Sequence, residues 1–314
     1  MNTTTASDEP SDRSRVWLAP VATVALYVAV IGLMGDFRPE HGLVAGLTIG
    51  LGLLGGKPRK FLLDMTPYLI LAIGYDMVRY VRDAVVRPEH VLGCGLRDAE
   101  LALFAVAPGV TPQDWFATHH VPPADLAAAV PYAGFIYIAF GYAGYLFFRD
   151  RTRMRHFLWA LTVAHYVAFV MWILTPAAPP WYLRAHGCVI DLAAAPDPGG
   201  LVRVDHMLGI SYFRSFYSRS SSVFGALPSM HCAFPLLGLL TAWKSTTWKT
   251  RWMHVVYVVW MATAAVYLDH HWIIDVMAGW LVAMVAVVLV GWVMRRRAGV
   301  AATRADREID VGTS

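Results

Sequence analysis

The sequence has few charged residues and few cysteines. Charged residues make up only 15% of its 314 residues, while 57% are hydrophobic. This balance excludes an ordinary soluble domain and is typical of a polytopic membrane protein. The three cysteines form no Cys-x-x-Cys pair, so no zinc or dithiol motif is indicated. The net charge of +4 is modest and no basic run is interleaved with aromatic residues, which disfavours a nucleic-acid partner.

The apolar runs predict an all-α fold, a polytopic membrane helix bundle with about eight transmembrane segments, a six-helix catalytic core and extracytoplasmic loops. A span needs about 20 apolar residues, so the second and sixth segments are the weakest candidates and leave a re-entrant path open. The predicted segments are Val16–Met34, Gly42–Leu54, Phe61–Tyr80, Tyr132–Phe148, Phe157–Leu174, Cys232–Trp243, Trp252–Leu268 and Trp272–Met294.

Basic residues indicate how these segments are oriented. If the N-terminus is cytoplasmic, every inner loop or flank is basic, including Lys57–Lys60, Arg149–Arg155 and Arg295–Arg297. This positive-inside bias predicts that both termini are cytoplasmic and that residues 81–131 and 175–231 lie outside. Because Cys94 and Cys188 both lie in these outer segments, where oxidation is allowed, we expect that they can form a disulfide.

The same pattern predicts the domain organisation. We expect a disordered cytoplasmic N-terminus (1–15), N-terminal transmembrane helices (16–80), an extracytoplasmic segment (81–131), a catalytic membrane core (132–294) and a cytoplasmic tail (295–314). A composition rich in alanine, valine and arginine suggests a GC-rich bacterial source. The expected location is therefore a bacterial cell membrane.

Two polar motifs interrupt the apolar pattern on the predicted outer side. The first, Phe224-Gly-Ala-Leu-Pro-Ser-Met-His231, ends where an apolar run begins, and the second is Tyr267-Leu-Asp-His-His-Trp-Ile-Ile-Asp275. His271 and Asp275 are spaced i, i+4, so on a helix they share one face. A carboxylate there can hold one imidazole nitrogen as a donor and leave the other free to attack. Two antiparallel spans between His231 and His271 would bring both histidines to one level of the membrane.

These motifs, together with Ala178-Pro-Pro-Trp-Tyr182, resemble the phosphatidic acid phosphatase type 2 superfamily, and within it the fungal inositol phosphorylceramide synthase branch. The likeness covers about residues 132–294. The chain departs from the wider superfamily because it lacks a Lys-x6-Arg-Pro motif, has Met230 in place of glycine, and has Ala264-Ala265 in place of Ser-Arg. The synthase branch also has a bulky residue at the position of Met230 and a doubled histidine at the position of His270-His271. The departures therefore favour that branch.

The resemblance implies a two-step transfer in which His271 attacks the phosphorus of a phospholipid, Asp275 orients it and His231 protonates the leaving alkoxide. It implies a phospholipid that donates its headgroup, with phosphoinositol as the expected group, a lipid-alcohol acceptor, and no cofactor or metal. The expected phosphate-binding residues are Ser229, Met230, Arg184, Arg214 and Arg219. The expected substrate-lining residues are Trp181, Tyr182, Tyr212 and His270. We expect Thr175–Phe224 to fold over the site as a lid with a lateral opening to the outer leaflet.

Several alternatives stay open. His271 and Asp275 could be an interfacial capping pair, and His231 a buried hydrogen-bonding side chain. His270 is a weaker nucleophile candidate because Ile274, rather than a carboxylate, lies four residues after it. At the level of function, the chain could be a lipid phosphatase, with water as acceptor, or a non-catalytic lipid-binding or transport protein. The sequence leaves the oligomeric state open.

Overall fold

The structure, a computed structural model, describes residues 15–312. These residues form 13 α-helices, two 3₁₀ turns and isolated backbone bridges, and no strand. The predicted all-α class is therefore confirmed. The predicted disordered N-terminus, residues 1–15, lies almost wholly outside the described residues, as do most side chains of the predicted tail beyond residue 300.

The helices follow one another in chain order with short connections outside the two long outer segments. They are α1 (Leu18–Leu33), α2 (Pro39–Leu54), α3 (Gly56–Val85), α4 (Cys94–Phe104), α5 (Pro112–Thr118), α6 (Pro122–Arg149), α7 (Arg151–Leu174), α8 (Pro180–His186), α9 (Val202–Leu208), α10 (Tyr212–Tyr217), α11 (Met230–Ala242), α12 (Trp248–Tyr267) and α13 (Ile273–Gly312). The 3₁₀ turns are Pro88–His90 and Gly199–Leu201.

Each of the eight predicted apolar segments coincides with a helix. Four helices are long and apolar enough to cross a membrane, namely α3, α6, α7 and the Ile273–Val300 part of α13, and α1 and α11 are shorter apolar helices. The chain is thus an integral membrane helix bundle. Its orientation in the bilayer and the predicted domain limits stay predictions.

The chain divides into two compact units, Met1–Ile73 and Gly74–Ser314, and the boundary falls within α3. In the first unit α1 packs against α2. The Arg59 guanidinium lies 4.9 Å from the centre of the Trp17 ring and also donates to the Gly52 carbonyl at 2.8 Å. The second unit contains both polar motifs and is the one that concerns function.

The core of the second unit is built by α11, α12 and α13, which pack with α6 and α7. Buried side chains from four of these helices meet in one cluster that includes Tyr132, Cys232, Met261 and Val276. Asp150 caps α7 by accepting a hydrogen bond from the Arg153 N–H at 3.0 Å. At the end of the core where the two motifs lie, α11 begins at Met230 and α13 begins at Ile273.

The N-terminal ends of α11 and α13 lie so close that their backbones form a hydrogen bond. The Ser229 N–H donates to the Asp275 carbonyl at 2.9 Å, and the Ser229 hydroxyl caps α11 by accepting from the Cys232 N–H at 3.4 Å. A Cβ at Gly279 would lie 2.2 Å from the backbone carbonyl oxygen of Ser229. Glycine at 279 therefore permits the contact that brings the two motifs to one level.

We expect Gly279→Ala to destabilise the second unit and to lower its activity together. The added methyl meets backbone atoms of Ser229, which cannot rotate away, and such overpacking costs about 1–3 kcal/mol. Thermal unfolding in detergent measures the change. Gly141→Ala in α6, where a Cβ meets nothing within 4 Å, is the control and should not lower stability. An unchanged melting temperature for Gly279→Ala would show that the two helices can separate freely.

Candidate functional site

His231 and His271 face each other at the end of the core where the two polar motifs lie. His231 lies in the first turn of α11, and His271 lies two residues before α13 begins. The Nδ1 atom of His231 is 3.2 Å from the Nε2 atom of His271. The structure thus brings together the two histidines that the motifs single out.

Two oxygens face the other nitrogen of His271. Its Nδ1 lies 3.0 Å from the Ala226 carbonyl and 3.5 Å from an oxygen of Asp275. A carbonyl can only accept, so Nδ1 carries the hydrogen and Nε2 presents its lone pair to His231. The carboxylate predicted to orient His271 is present, but the backbone carbonyl of the first motif is the nearer partner.

Asp275 also fixes the start of α13. Its carboxylate accepts a hydrogen bond from the Trp272 N–H at 2.9 Å, one turn back along the chain. The side chain is 0% exposed and His271 is 5% exposed, so their interaction is shielded from solvent. Asp275 therefore caps the start of α13 and also lies beside His271, and its orienting role stays a prediction.

His270 is buried on the opposite side of the loop. Its Nε2 bonds to the Pro198 carbonyl at 2.8 Å, and its ring lies between those of Tyr132 and Tyr217, with centroids 5.0 and 4.8 Å away. Burial and the neighbouring His271 lower the pKa of His270 to about 3. The Pro198 carbonyl and the two aromatic rings therefore hold His270 in one orientation.

The outer segment Thr175–Phe224 lies directly against the histidine loop. Its backbone exchanges hydrogen bonds with Leu268 to Trp272 on both sides of the histidines. These bonds run from Gly200 N to Leu268 O (2.8 Å), from Trp181 N to Asp269 O (3.1 Å) and from the Trp272 indole to Ala178 O (2.9 Å). The predicted fold of this segment over the site is confirmed in these contacts, while the lateral opening stays a prediction.

The other outer segment, residues 81–131, supplies a buried carboxylate to the start of α13. Glu100, on α4, is 0% exposed and accepts from the N–H groups of Ile273 at 2.8 Å and Ile274 at 3.2 Å. The Gln113 amide donates both to Glu100 at 2.9 Å and to the His271 carbonyl at 3.1 Å. A negative charge at a helix N-terminus is favourable, so this pair clamps the backbone that carries His271.

The two outer segments are joined to each other. Cys94 and Cys188 form a disulfide with 5.5 Å between their Cα atoms, as expected from the sequence. Isolated bridges pair Leu92 with Ala177 and Ala177 with Gly225. The carbonyl of Ala226 that receives His271 is therefore held by a small backbone layer shared by both segments.

Arg184 has partners other than the predicted phosphate. Its guanidinium makes a bidentate pair with Asp269 at 2.8 and 2.9 Å and reaches Asp114 at 3.0 Å. The hydrogen bond to Asp269 raises the pKa of Arg184, which stays charged. Two carboxylates thus take up the donors of Arg184, and we assign it to fixing the residue two positions before His271.

The remaining predicted phosphate contacts divide between buried and exposed positions. Ser229 is fully buried and its hydroxyl is used as the α11 cap, and Met230 is buried beside it. Arg214 and Arg219 are exposed side chains, and the Arg214 N–H donates to Asp205 at 2.9 Å. The phosphate-binding role of both arginines stays a prediction.

The three predicted lining aromatics also differ in place. Tyr182 is 0% exposed, and its hydroxyl donates to the Val189 carbonyl and accepts from the Asp191 N–H, so it packs within the segment Thr175–Phe224. Trp181 is half-buried beside Gly199. Tyr212 is exposed and donates to the Ala133 carbonyl of α6 at 3.3 Å.

Sequence reasoning missed Glu100, Gln113 and the Ala226 carbonyl. Glu100 directly precedes the apolar run Leu101 to Phe104, but Arg97 and Asp98 lie just before it, so the sequence does not mark this glutamate as buried. Its partner at Ile273 lies more than 170 residues away, and no spacing rule connects them. A backbone carbonyl carries no residue signal at all.

The fold and the site define a class: a membrane-embedded helical protein with two apposed histidines and a carboxylate at one end of its bundle. Comparison of the sequence with known families then identifies the family. The PAP2 superfamily profile matches residues 98–289, more than half of the chain, and the chain belongs to this superfamily.

Curated relatives share this sequence over different lengths. The phosphoinositol dihydroceramide synthase of Bacteroides thetaiotaomicron is 31% identical over 283 residues, which cover 88% of this chain and 90% of that protein. The inositol phosphorylceramide synthase of Candida albicans is 32% identical over 165 residues, 51% of this chain and 34% of that protein. The catalytic subunit of the Saccharomyces cerevisiae enzyme of that name is 36% identical over 111 residues, 35% of this chain and 27% of that protein. No solved structure matches this chain.

We expect Glu100→Gln to lower both the melting temperature and the activity. An amide cannot accept on both sides, so at least one buried N–H at the start of α13 loses its partner, at a cost of about 1–3 kcal/mol. Thermal unfolding and turnover are measured on the same preparation. Glu89→Gln, at an exposed position of the same outer segment, is the control and should change neither. A stable and fully active Glu100→Gln variant would show that the clamp is dispensable.

Proposed function

We propose that this PAP2-superfamily lipid phosphotransferase transfers phosphoinositol from a phospholipid to the hydroxyl of a ceramide-class lipid, through a phosphohistidine on His271. The single observation that carries the proposal is the apposition of His271 Nε2 and His231 Nδ1 at 3.2 Å, with His271 Nδ1 already engaged by Ala226. This arrangement supplies one nitrogen for attack and one for proton transfer.

In the first step the phosphorus enters between the two imidazoles, which breaks the hydrogen bond between them. The Nε2 lone pair of His271 forms the N–P bond while the bond from phosphorus to the glycerol oxygen breaks. His231 gives a proton to that oxygen, so diacylglycerol leaves as a neutral alcohol. The Ala226 carbonyl and Asp275 stabilise the positive charge that develops on the His271 ring.

In the second step His231 takes the proton of the acceptor hydroxyl. The acceptor oxygen forms a new bond to phosphorus as the N–P bond breaks, and the electron pair returns to His271. Two displacements through a covalent intermediate replace one harder displacement. The start of α11 supports both steps, because the helix N-terminus at Met230 and His231 favours an anionic phosphate.

Transfer to an alcohol is favoured over hydrolysis by the burial of the site. His271 and Asp275 are almost wholly shielded from solvent, and both outer segments pack on the loop that carries them. Restricted access of water protects a phosphorylated intermediate. The names of the relatives support inositol as the headgroup and a ceramide or dihydroceramide as the acceptor.

The proposed location is the extracytoplasmic face of a bacterial cell membrane. The positive-inside pattern supports this orientation, and one relative over most of the chain is bacterial. An internal disulfide between the outer segments is also in keeping with an oxidising compartment. Metal independence stays a prediction.

We expect His271→Ala to abolish transfer and His231→Ala to lower it by roughly 10²–10⁴-fold, the range for loss of a general acid and base. Because the two act as a unit, the double variant should be little worse than His271→Ala. The assay follows inositol-labelled phosphatidylinositol with ceramide in detergent micelles. An acid-labile label on the wild-type chain, absent from His271→Ala, would report the intermediate.

The control is His206→Ala, an exposed histidine of α9, which should keep wild-type turnover and stability. Release of free inositol phosphate without a new phospholipid would show a phosphatase. Wild-type transfer by His271→Ala would contradict the mechanism. Binding of phosphatidylinositol without any product would instead show a non-catalytic lipid-binding protein.

A further inference from the structure

Tyr132, on α6, is the aromatic side chain most closely joined to the histidine pair. Its ring stacks on that of His231, with centroids 4.6 Å apart and planes inclined by 23°, and it also packs against His270. The residue is only 3% exposed. No sequence motif singles it out, since it lies in an apolar run about 100 residues before the first motif.

The Tyr132 hydroxyl is buried and finds no hydrogen-bond partner within residues 15–312. A buried hydroxyl without a partner destabilises the folded state, because it has lost its bonds to water. A phenylalanine would fill the same space without that penalty. The hydroxyl is therefore explained best by a group that is bound only during the reaction.

A second hydroxyl repeats the pattern on the other side of His270. Tyr217, on α10, packs against His270 at 4.8 Å, and its buried hydroxyl also lacks a partner among the described residues. The rings of Tyr132 and Tyr217 therefore pack on the same histidine, and both carry a buried hydroxyl without a partner among the described residues.

We propose that the Tyr132 hydroxyl is a phosphate-binding group, which donates a hydrogen bond to an oxygen of the phosphoryl group held between His231 and His271. This inference rests on the proposed function, and it supplies part of the phosphate contact that the engaged Arg184 does not. An O–H donor suits a phosphodiester because it offsets charge on a non-bridging oxygen without introducing a cation into the bundle. Stacking on His231 fixes the distance between this donor and the acid that acts in the same step.

Tyr132→Phe tests the proposal because it removes only the hydroxyl. The expected result is a loss of about tenfold or more in kcat/KM for transfer from phosphatidylinositol to ceramide, the size of one hydrogen bond to a charged group. The melting temperature should stay the same or rise, because no protein partner is lost. A merely structural role would lower stability and activity together.

Tyr142→Phe is the matched control. Tyr142 lies on the same helix about 15 Å further along, and its buried hydroxyl also lacks a partner among the described residues. This variant should likewise keep or gain stability, but its kcat/KM should stay within twofold of wild type. The pair separates an effect of the site from a general effect of removing a buried hydroxyl.

A second measurement does not depend on transfer. Vanadate, which mimics a phosphoryl group in displacement, should raise the melting temperature of the wild type and of Tyr142→Phe more than that of Tyr132→Phe. If the wild type makes no new phospholipid, the proposed function fails, and the vanadate shifts alone decide the role of Tyr132. Equal vanadate shifts in all three proteins, or wild-type kcat/KM in Tyr132→Phe, would overturn the inference. A wild type that neither transfers nor responds to vanadate would overturn both proposals.

Discussion

The site depends on one backbone contact between two helix ends. The Ser229 N–H donates to the Asp275 carbonyl at 2.9 Å, and the absence of a side chain at Gly279 lets the two backbones approach this closely. This contact sets the first turns of α11 and α13 side by side. The apposition of His231 and His271 follows from it, because each histidine lies within a few residues of the contact.

The two segments 81–131 and 175–231 hold the loop that carries His270 and His271. A loop that connects two spans has few packing partners of its own, and its backbone polar groups must be satisfied. Here Glu100 accepts from the backbone at the start of α13, and Gln113 donates to the His271 carbonyl. The carbonyls of Ala226 and Pro198, from the other segment, accept from the imidazoles of His271 and His270. The disulfide and the short bridges hold the two segments together. His271 is therefore oriented by these two segments as much as by the helices of the bundle.

The polar groups of the site fall into two kinds. Glu100 and Arg184 are engaged with protein partners, which makes them rigid and leaves them little capacity to bind substrate. Asp275 accepts from the Trp272 N–H with one oxygen, and its other oxygen has no partner among the described residues. The hydroxyls of Tyr132 and Tyr217 have no such partners among the described residues. Stability and ligand binding thus make opposite demands on a buried polar group, and the contrast between these side chains separates positioning groups from candidate contacts.

The sequence by itself determined the class of fold, the eight helical segments, the pairing of Cys94 with Cys188 and the proximity of His231, His271 and Asp275. These features are local or nearly so: apolar length, charge at segment ends, the compartment of the cysteines, and an i, i+4 spacing. The sequence did not determine the partners of Arg184, the packing of Tyr182 or the roles of Glu100 and Ala226. Each of these depends on residues far apart in the chain or on backbone atoms, which have no residue identity. Only the tertiary structure decides them, because a hydrogen bond is selected by distance and direction in space, and neither follows from the order of residues.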